Sequence, residues 1–297
     1  MDKIAIALTN DASYRIYAAV TTGLVREAQK MHNSYPVATA ALGRALTAAA
    51  MMGAMIKSGN GSITIQIKGD GPLGTVLAVS DANSAVRGYC SNPGVIMPPR
   101  ADGKLDVGGA VGKNGFINVV RDTGSGQPYT GNVPLVSGEI AEDLTSYFAV
   151  SEQIPTAVGL GVLVGTDGVP EAAGGFIVQR MPGAGPNDEQ NAEKIENVLK
   201  NLSSITEIIS KHNSPDSIID LIFKDIEHNI IDHRSTCYKC TCDKKRVEKA
   251  LSLIGEADLQ SLIDDDKDAQ ISCSFCNKTY TFSRQQLTDI LKRIKKG

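Results

Sequence analysis

Absences narrow the function of this 297-residue chain before any motif does. No apolar run approaches the ~20 residues that cross a bilayer, so a membrane is not an expected partner. Positive charge is not in excess either. Thirty lysines and arginines face 33 aspartates and glutamates, and a net charge of −3 leaves no basic stripe for nucleic acid. Basic residues near the end (Lys244, Lys245, Arg246, Lys292, Arg293, Lys295, Lys296) are offset by Asp264-Asp265-Asp266 and Asp268, and only Phe275, Tyr280 and Phe282 offer stacking there. The chain opens without a basic start, apolar stretch and cleavage site. Met1-Asp2-Lys3-Ile4 leads straight into a strand-like run, which predicts a cytoplasmic protein in a reducing compartment. Histidine is scarce: His32, His212 and His228 have no catalytic spacing, no Ser, His, Asp constellation is legible, and the chain is not expected to be an enzyme.

What is present is cysteine in one place. Five of the six cysteines fall within 40 residues, as Cys237-Tyr-Lys-Cys240-Thr-Cys242 and Cys273-Ser-Phe-Cys276. Two short pairs separated by a long segment let tight turns present four thiolates to one tetrahedral zinc ion. The first side has two registers, a CxxC at Cys237 and Cys240 and a CxC at Cys240 and Cys242, and only one of them can join Cys273 and Cys276. His233 lies nearby, but four thiolates already fill a structural site. Cys90, alone after Arg87-Gly88-Tyr89, reads as a small buried hydrophobe.

Composition changes near Gly183. Residues 1–182 hold 25 of the 29 glycines and 27 charged residues, whereas the last 115 residues hold 4 glycines and 36 charged ones. Met181-Pro182-Gly183-Ala184-Gly185-Pro186 marks the boundary, because neither a helix nor a ladder continues through it. The expectation is an α+β chain: a mixed sheet-and-helix domain over 1–182, a helical linker over 183–235, and a small α+β zinc-binding domain over 236–297.

In the first domain Ile63, Ile65 and Ile67 alternate with polar residues, the period of a half-buried strand, and a second strand follows Gly69-Asp70-Gly71-Pro72. Residues 36–57 place Ala41, Ala45, Ala48, Met52 and Met55 at helical spacing and predict a closely packed, buried helix whose methionines fill core. Gly108-Gly-Ala-Val-Gly112 lacks a phosphate-loop pattern and reads as a tight turn between strands. Residues 137–153 predict a helix with Ile140, Leu144 and Phe148 inward and Glu139, Glu142, Asp143 and Glu152 on its solvated side. Residues 157–164 and 172–178 predict a hairpin around Thr166-Asp167-Gly168.

The linker carries an amphipathic stripe, Ile195, Leu199, Leu202, Ile205 and Ile209. A second helix starts at Ser214-Pro215 and carries Ile218, Ile219, Ile222 and Phe223. About nine large apolar side chains at ~1.5–3 kcal/mol each predict docking on the first domain. Beyond it, Asp243 caps a helix running to Gly255, and Ser283 with Gln286 forms a capping box. So small a core makes the metal a large part of the folding energy. Zinc keeps sulfur as thiolate, the form that oxidants attack. Disulfide formation would remove the ligands, unfold the domain and release a linker docked against it, uncovering apolar surface able to hold unfolding proteins. A thiol oxidoreductase would instead need a reactive CxxC without a structural metal.

The sequence resembles the thirty-three-kilodalton heat-shock chaperonin family, redox-regulated bacterial holdases, over nearly its whole length. The resemblance rests on residues 36–57 with Ala41-Leu42-Gly43-Arg44-Ala45-Leu46-Thr47, on Lys68-Gly69-Asp70-Gly71-Pro72, Arg87-Gly88-Tyr89 and Tyr129-Thr130-Gly131. It continues through Ser137-Gly138-Glu139-Ile140, Ala173-Gly174-Gly175-Phe176, the CxC and the CxxC. It implies an ATP-independent chaperone, inactive when reduced with one zinc per chain, and activated by oxidation under unfolding conditions to bind unfolding clients as a homodimer. It also implies Cys240, Cys242, Cys273 and Cys276 as the zinc ligands, with Cys240 closing on Cys242 and Cys273 on Cys276 when oxidised. Cys237 is then a spare thiol outside the family's pattern.

Overall fold

Period-two alternation builds the strands of this protein. Ile63, Ile65 and Ile67 are fully buried, and the polar residues between them are not. The structure is a computed structural model that describes residues 2–183, 187–202, 204–265 and 268–294. Ala184-Gly185-Pro186 of the boundary, Asp266 of the acidic run, and Lys295 and Lys296 of the basic tail lie outside them.

The chain forms two compact units, Met1–Lys239 and Cys240–Gly297. The larger runs β1 (Lys3–Thr9), β2 (Tyr14–Val20), α1 (Thr22–His32), α2 (Pro36–Ala54), β3 (Ser62–Lys68), β4 (Thr75–Asp81), β5 (Ala85–Cys90), α3 (Val107–Val111), β6 (Phe116–Asp122) and β7 (Tyr129–Pro134). It continues with α4 (Ile140–Tyr147) and a π turn at Phe148–Glu152, then β8 (Thr156–Val164), β9 (Pro170–Arg180), α5 (Asp188–Lys200), α6 (Ile205–His212), α7 (Pro215–Ile222), β10 (His228–Ser235) and β11 (Cys237–Tyr238). The smaller holds α8 (Lys244–Leu251), α9 (Glu256–Asp264), β12 (Ala269–Ser272), β13 (Thr279–Phe282) and α10 (Arg284–Ile294). This is the expected α+β class.

One sheet has the order β10-β1-β2-β9-β8, all antiparallel; the other is β11-β5-β4-β3-β6-β7, antiparallel except for β11 beside β5. Helix α2 packs against strands of both sheets, and only Pro36 and Arg44 along it escape burial. Its small side chains permit that approach: a Cβ at Gly53 would lie 2.6 Å from the Asp81 carbonyl oxygen. This corrects one reading of the sequence, because α2, with a mean hydropathy of 1.3, is long and apolar enough to cross a membrane by length and composition. In this fold 94% of that window is buried in protein.

The outer face of the first sheet is covered by the linker helices. Ile195, Ile205, Ile209, Ile218, Ile222 and Phe223 bury against Ala5, Ile16, Ala18, Phe176 and Val178, so the expected docking surface is β1, β2 and β9. The linker is not helical to its end. Residues 228–235 form β10, which pairs with β1 from Thr9↔His228 to Lys3↔Ser235. Its side chains are mostly exposed, so no apolar period marks it, and main-chain pairing to an open edge makes it a strand.

Three further local readings are corrected. Residues 107–111 are a short helix rather than a turn, capped by the Asp106 carboxylate on Gly109 N–H at 2.9 Å. Asp143 is fully buried, accepting from Val136 N–H at 2.7 Å and Ser137 N–H at 3.2 Å, and Glu152 accepts from Arg121 and Tyr147. Neither carboxylate is on a solvated face. In the small unit α8 stops at Leu251, and a second helix, α9, begins after Gly255 at φ 96°.

Candidate metal centre

The loop that carries Cys273 and Cys276 is closed by its own backbone. Cys276 N–H and Asn277 N–H both donate to the Cys273 carbonyl, at 3.2 and 2.8 Å, and Cys273 N–H donates to the Lys278 carbonyl at 3.0 Å. Asn277 takes the left-handed conformation, φ 55°, that this tight turn requires and that asparagine tolerates. On the other side, the Asp243 carboxylate accepts Arg246 N–H at 2.8 Å, capping α8 immediately after Cys242. The capping box of α10 is made in both directions, Ser283 N–H to Gln286 Oε1 at 3.1 Å and Gln286 N–H to Ser283 Oγ at 3.4 Å.

These turns bring four sulfurs together. Those of Cys240, Cys242, Cys273 and Cys276 all lie within 4.8 Å of one another. Cys240 and Cys273 are 3.8 Å apart, and Cys242 and Cys276 are 3.3 Å apart. A tetrahedron with metal–sulfur bonds of about 2.3 Å has edges of about 3.8 Å, so the donor set and its spacing fit zinc. Cys237 is not part of this group; it is exposed on β11 in the larger unit. The CxC, not the CxxC at Cys237, supplies the sulfurs on this side of the cluster.

The sulfurs are electrostatically unequal. Burial pushes the Cys242 thiol up, but hydrogen bonds from the Tyr280 hydroxyl and from the Cys276, Cys240 and Cys273 thiols outweigh it and bring it down to about 7. Burial, together with donation to its neighbours, pushes Cys276 up to about 12, and burial raises Cys240. Of the four, Cys242 is the sulfur whose surroundings favour the thiolate. Among the described residues, the small unit around the cluster has a core of eight buried apolar side chains, centred on Leu259, Phe282, Leu287 and Ile290.

The remaining candidates lie elsewhere. His233 Nε2 is 2.8 Å from Asp216 Oδ1, and His32 Nε2 is 3.1 Å from the Tyr238 hydroxyl. Cys90 is buried, and desolvation pushes its thiol up to about 11. The residue missed from sequence is Tyr280, whose hydroxyl donates to Cys242 Sγ at 3.1 Å. Its place four residues after Cys276 was the available signal, hidden by its aromatic side chain in an alternating strand.

Fold and site together define a two-unit α+β protein with a tetracysteine cluster able to hold a zinc ion in its smaller unit. The sequence matches the family model described as Hsp33 protein over residues 2–283, which takes in all four cysteines. It is 47% identical over 291 residues to the 33 kDa chaperonin of Clostridium botulinum (strain 657 / Type Ba4), covering 98% of this chain and 97% of that one. It is 44% identical over 293 residues to that of Clostridioides difficile (strain 630), covering 99% of each. The crystal structure of the 33 kDa chaperonin from Thermotoga maritima superposes with a TM-score of 0.88 at 36% identity, covering 99% of each chain. The chain belongs to the Hsp33 family.

Proposed function

We propose that this chain is a cytoplasmic, ATP-independent holdase chaperone switched by the oxidation state of Cys240, Cys242, Cys273 and Cys276. Reduced, it holds one zinc ion on those sulfurs and is inactive; oxidised, it binds unfolding proteins and dimerises. The observation that carries this reading is the four-sulfur cluster within 4.8 Å inside a unit whose own apolar core is too small to be secure alone.

A bound zinc ion would keep all four sulfurs as thiolates and add on the order of 10–16 kcal/mol to the folding of the unit. One thiolate of a pair attacks peroxide to give a sulfenic acid and hydroxide, and the second sulfur attacks the sulfenic sulfur and displaces its hydroxide. Per pair, two thiolates give up two electrons, one disulfide forms, and one peroxide takes two protons from solvent to become two waters. Cys240 closes on Cys242 and Cys273 on Cys276, the pairing that the resemblance to the Hsp33 family implies, and short loops close at least entropic cost in a loosened chain. With its donors consumed, residues 240–297 lose the free energy that keeps them compact.

Mild heat supplies the second signal. It detaches the linker helices from β1, β2 and β9, and Ile16, Phe176 and Val178 on the sheet and Ile209, Ile219 and Phe223 on the linker then face water. Apolar surface of that extent is a docking surface for the exposed cores of other proteins. Peroxide with mild heating is expected to release one zinc per chain, lower helical content and switch on suppression of client aggregation. An oxidised protein that retains its metal and still holds clients would contradict the mechanism.

A further inference from the structure

Strand β13 alternates exposed Thr279 and Thr281 with buried Tyr280 and Phe282, so the two aromatic rings enter the small core side by side. For filling that core a phenylalanine at 280 would serve as well as a tyrosine. The hydroxyl is the difference, and it is directed at a sulfur: Tyr280 Oη donates to Cys242 Sγ at 3.1 Å. The Lys278 ammonium lies over the same ring, 5.4 Å from its centre, and draws electron density from the phenol, which strengthens the O–H as a donor. Cys242 itself packs against this core, so ring and sulfur are held by the same set of side chains.

We propose that Tyr280 is a positioning residue for the cysteine centre, its hydroxyl holding the Cys242 sulfur in its metal-binding orientation and withdrawing electron density from it. Two effects follow. The oriented sulfur strengthens cation binding, as hydrogen-bond partners of metal ligands do, typically by 10–100-fold. The depleted sulfur is also a poorer nucleophile toward peroxide, so the hydroxyl raises the oxidant level at which the cluster yields. This rests on reading the four sulfurs as a cation site, and the test separates the two claims.

The experiment uses the full-length reduced chain with Co2+ in place of zinc, comparing wild type, Tyr280→Phe and a control, Phe282→Leu, that loosens the same core without removing a hydrogen bond to sulfur. Tyr280→Phe is expected to bind Co2+ in a four-sulfur site about tenfold more weakly by chelator competition, to shift the sulfur-to-cobalt charge-transfer band to longer wavelength, and to lose its metal several-fold faster in peroxide. Phe282→Leu is expected to lower the thermal midpoint and leave the band in place. If Tyr280→Phe matches wild type in affinity and band position, or does not fold, the positioning role is wrong. If wild type itself shows no four-sulfur cobalt spectrum, the cation-site reading fails first.

Discussion

Asn191 donates from Nδ2 to the Asp11 carboxylate at 2.9 Å and to Ser13 Oγ at 3.1 Å, which ties the first linker helix to the turn between β1 and β2. Asn191 is buried, so these bonds are shielded from water. Replacing it by alanine leaves Asp11 and Ser13 without that partner and is expected to weaken linker docking by about 1–3 kcal/mol. Hydrogen exchange should then be faster along α5 and unchanged in α2. Unchanged protection of α5 would show that the latch contributes nothing to docking.

The sulfur geometry predicts different fates for adjacent cysteines. Cys237→Ser is expected to leave zinc stoichiometry and affinity as in wild type, because that thiol is exposed on β11 and outside the cluster. Cys240→Ser or Cys242→Ser is expected to abolish tight binding, since a hydroxyl does not replace a thiolate donor. Zinc content after dialysis against a chelator decides between them, and the reverse pattern would overturn the assignment.

Oxidation of the four clustered sulfurs has three pairings open to it. The sulfurs nearest across the cluster are Cys240 with Cys273 and Cys242 with Cys276, at 3.8 and 3.3 Å. Pairing within each motif is nonetheless expected, because the long cross-links require the unit to stay folded while its donors are being lost. Peptide mapping of the peroxide-treated protein should recover disulfides within the CxC and within the CxxC. Cross-motif disulfides would show that the unit oxidises without unfolding.

Cys90 gives a stability effect with a definite sign. Its thiol is raised to about 11 in the fold by burial, whereas an unfolded chain ionises a cysteine near 8.5. Between those values the unfolded state loses a proton that the folded state keeps. The contribution is therefore fully present below about pH 8.5 and falls as pH rises toward 11, by up to roughly 1.4 kcal/mol per pH unit. Urea unfolding of the larger unit from pH 8 to 10.5 should show this loss, and Cys90→Ala should flatten it. At pH 8 the native thiol should also resist alkylation that labels Cys237.

Local signals carried far in the sequence where one face of an element meets the core. The isoleucines of β3, the alanine-rich helix α2, the β8–β9 hairpin and the capping box of α10 were all legible, because burial on one side imposes a period on the chain. β10 was not, since its stability comes from main-chain bonds to β1 and its side chains face water. Asp143 and Glu152 were misread for a related reason. A carboxylate looks solvated until the backbone N–H groups, or the arginine and tyrosine, that receive it are brought near by distant segments.

The sequence by itself determined that the chain is α+β, that it carries two short cysteine pairs, and that the linker has an apolar stripe to bury. Each of these is a matter of spacing along the chain, with a period or turn length that chemistry constrains. Only the tertiary structure decided which pair joins Cys273 and Cys276, which sheet face receives the linker, and that a tyrosine hydroxyl reaches Cys242. Those depend on distances between residues far apart in sequence, which close only when the whole core packs.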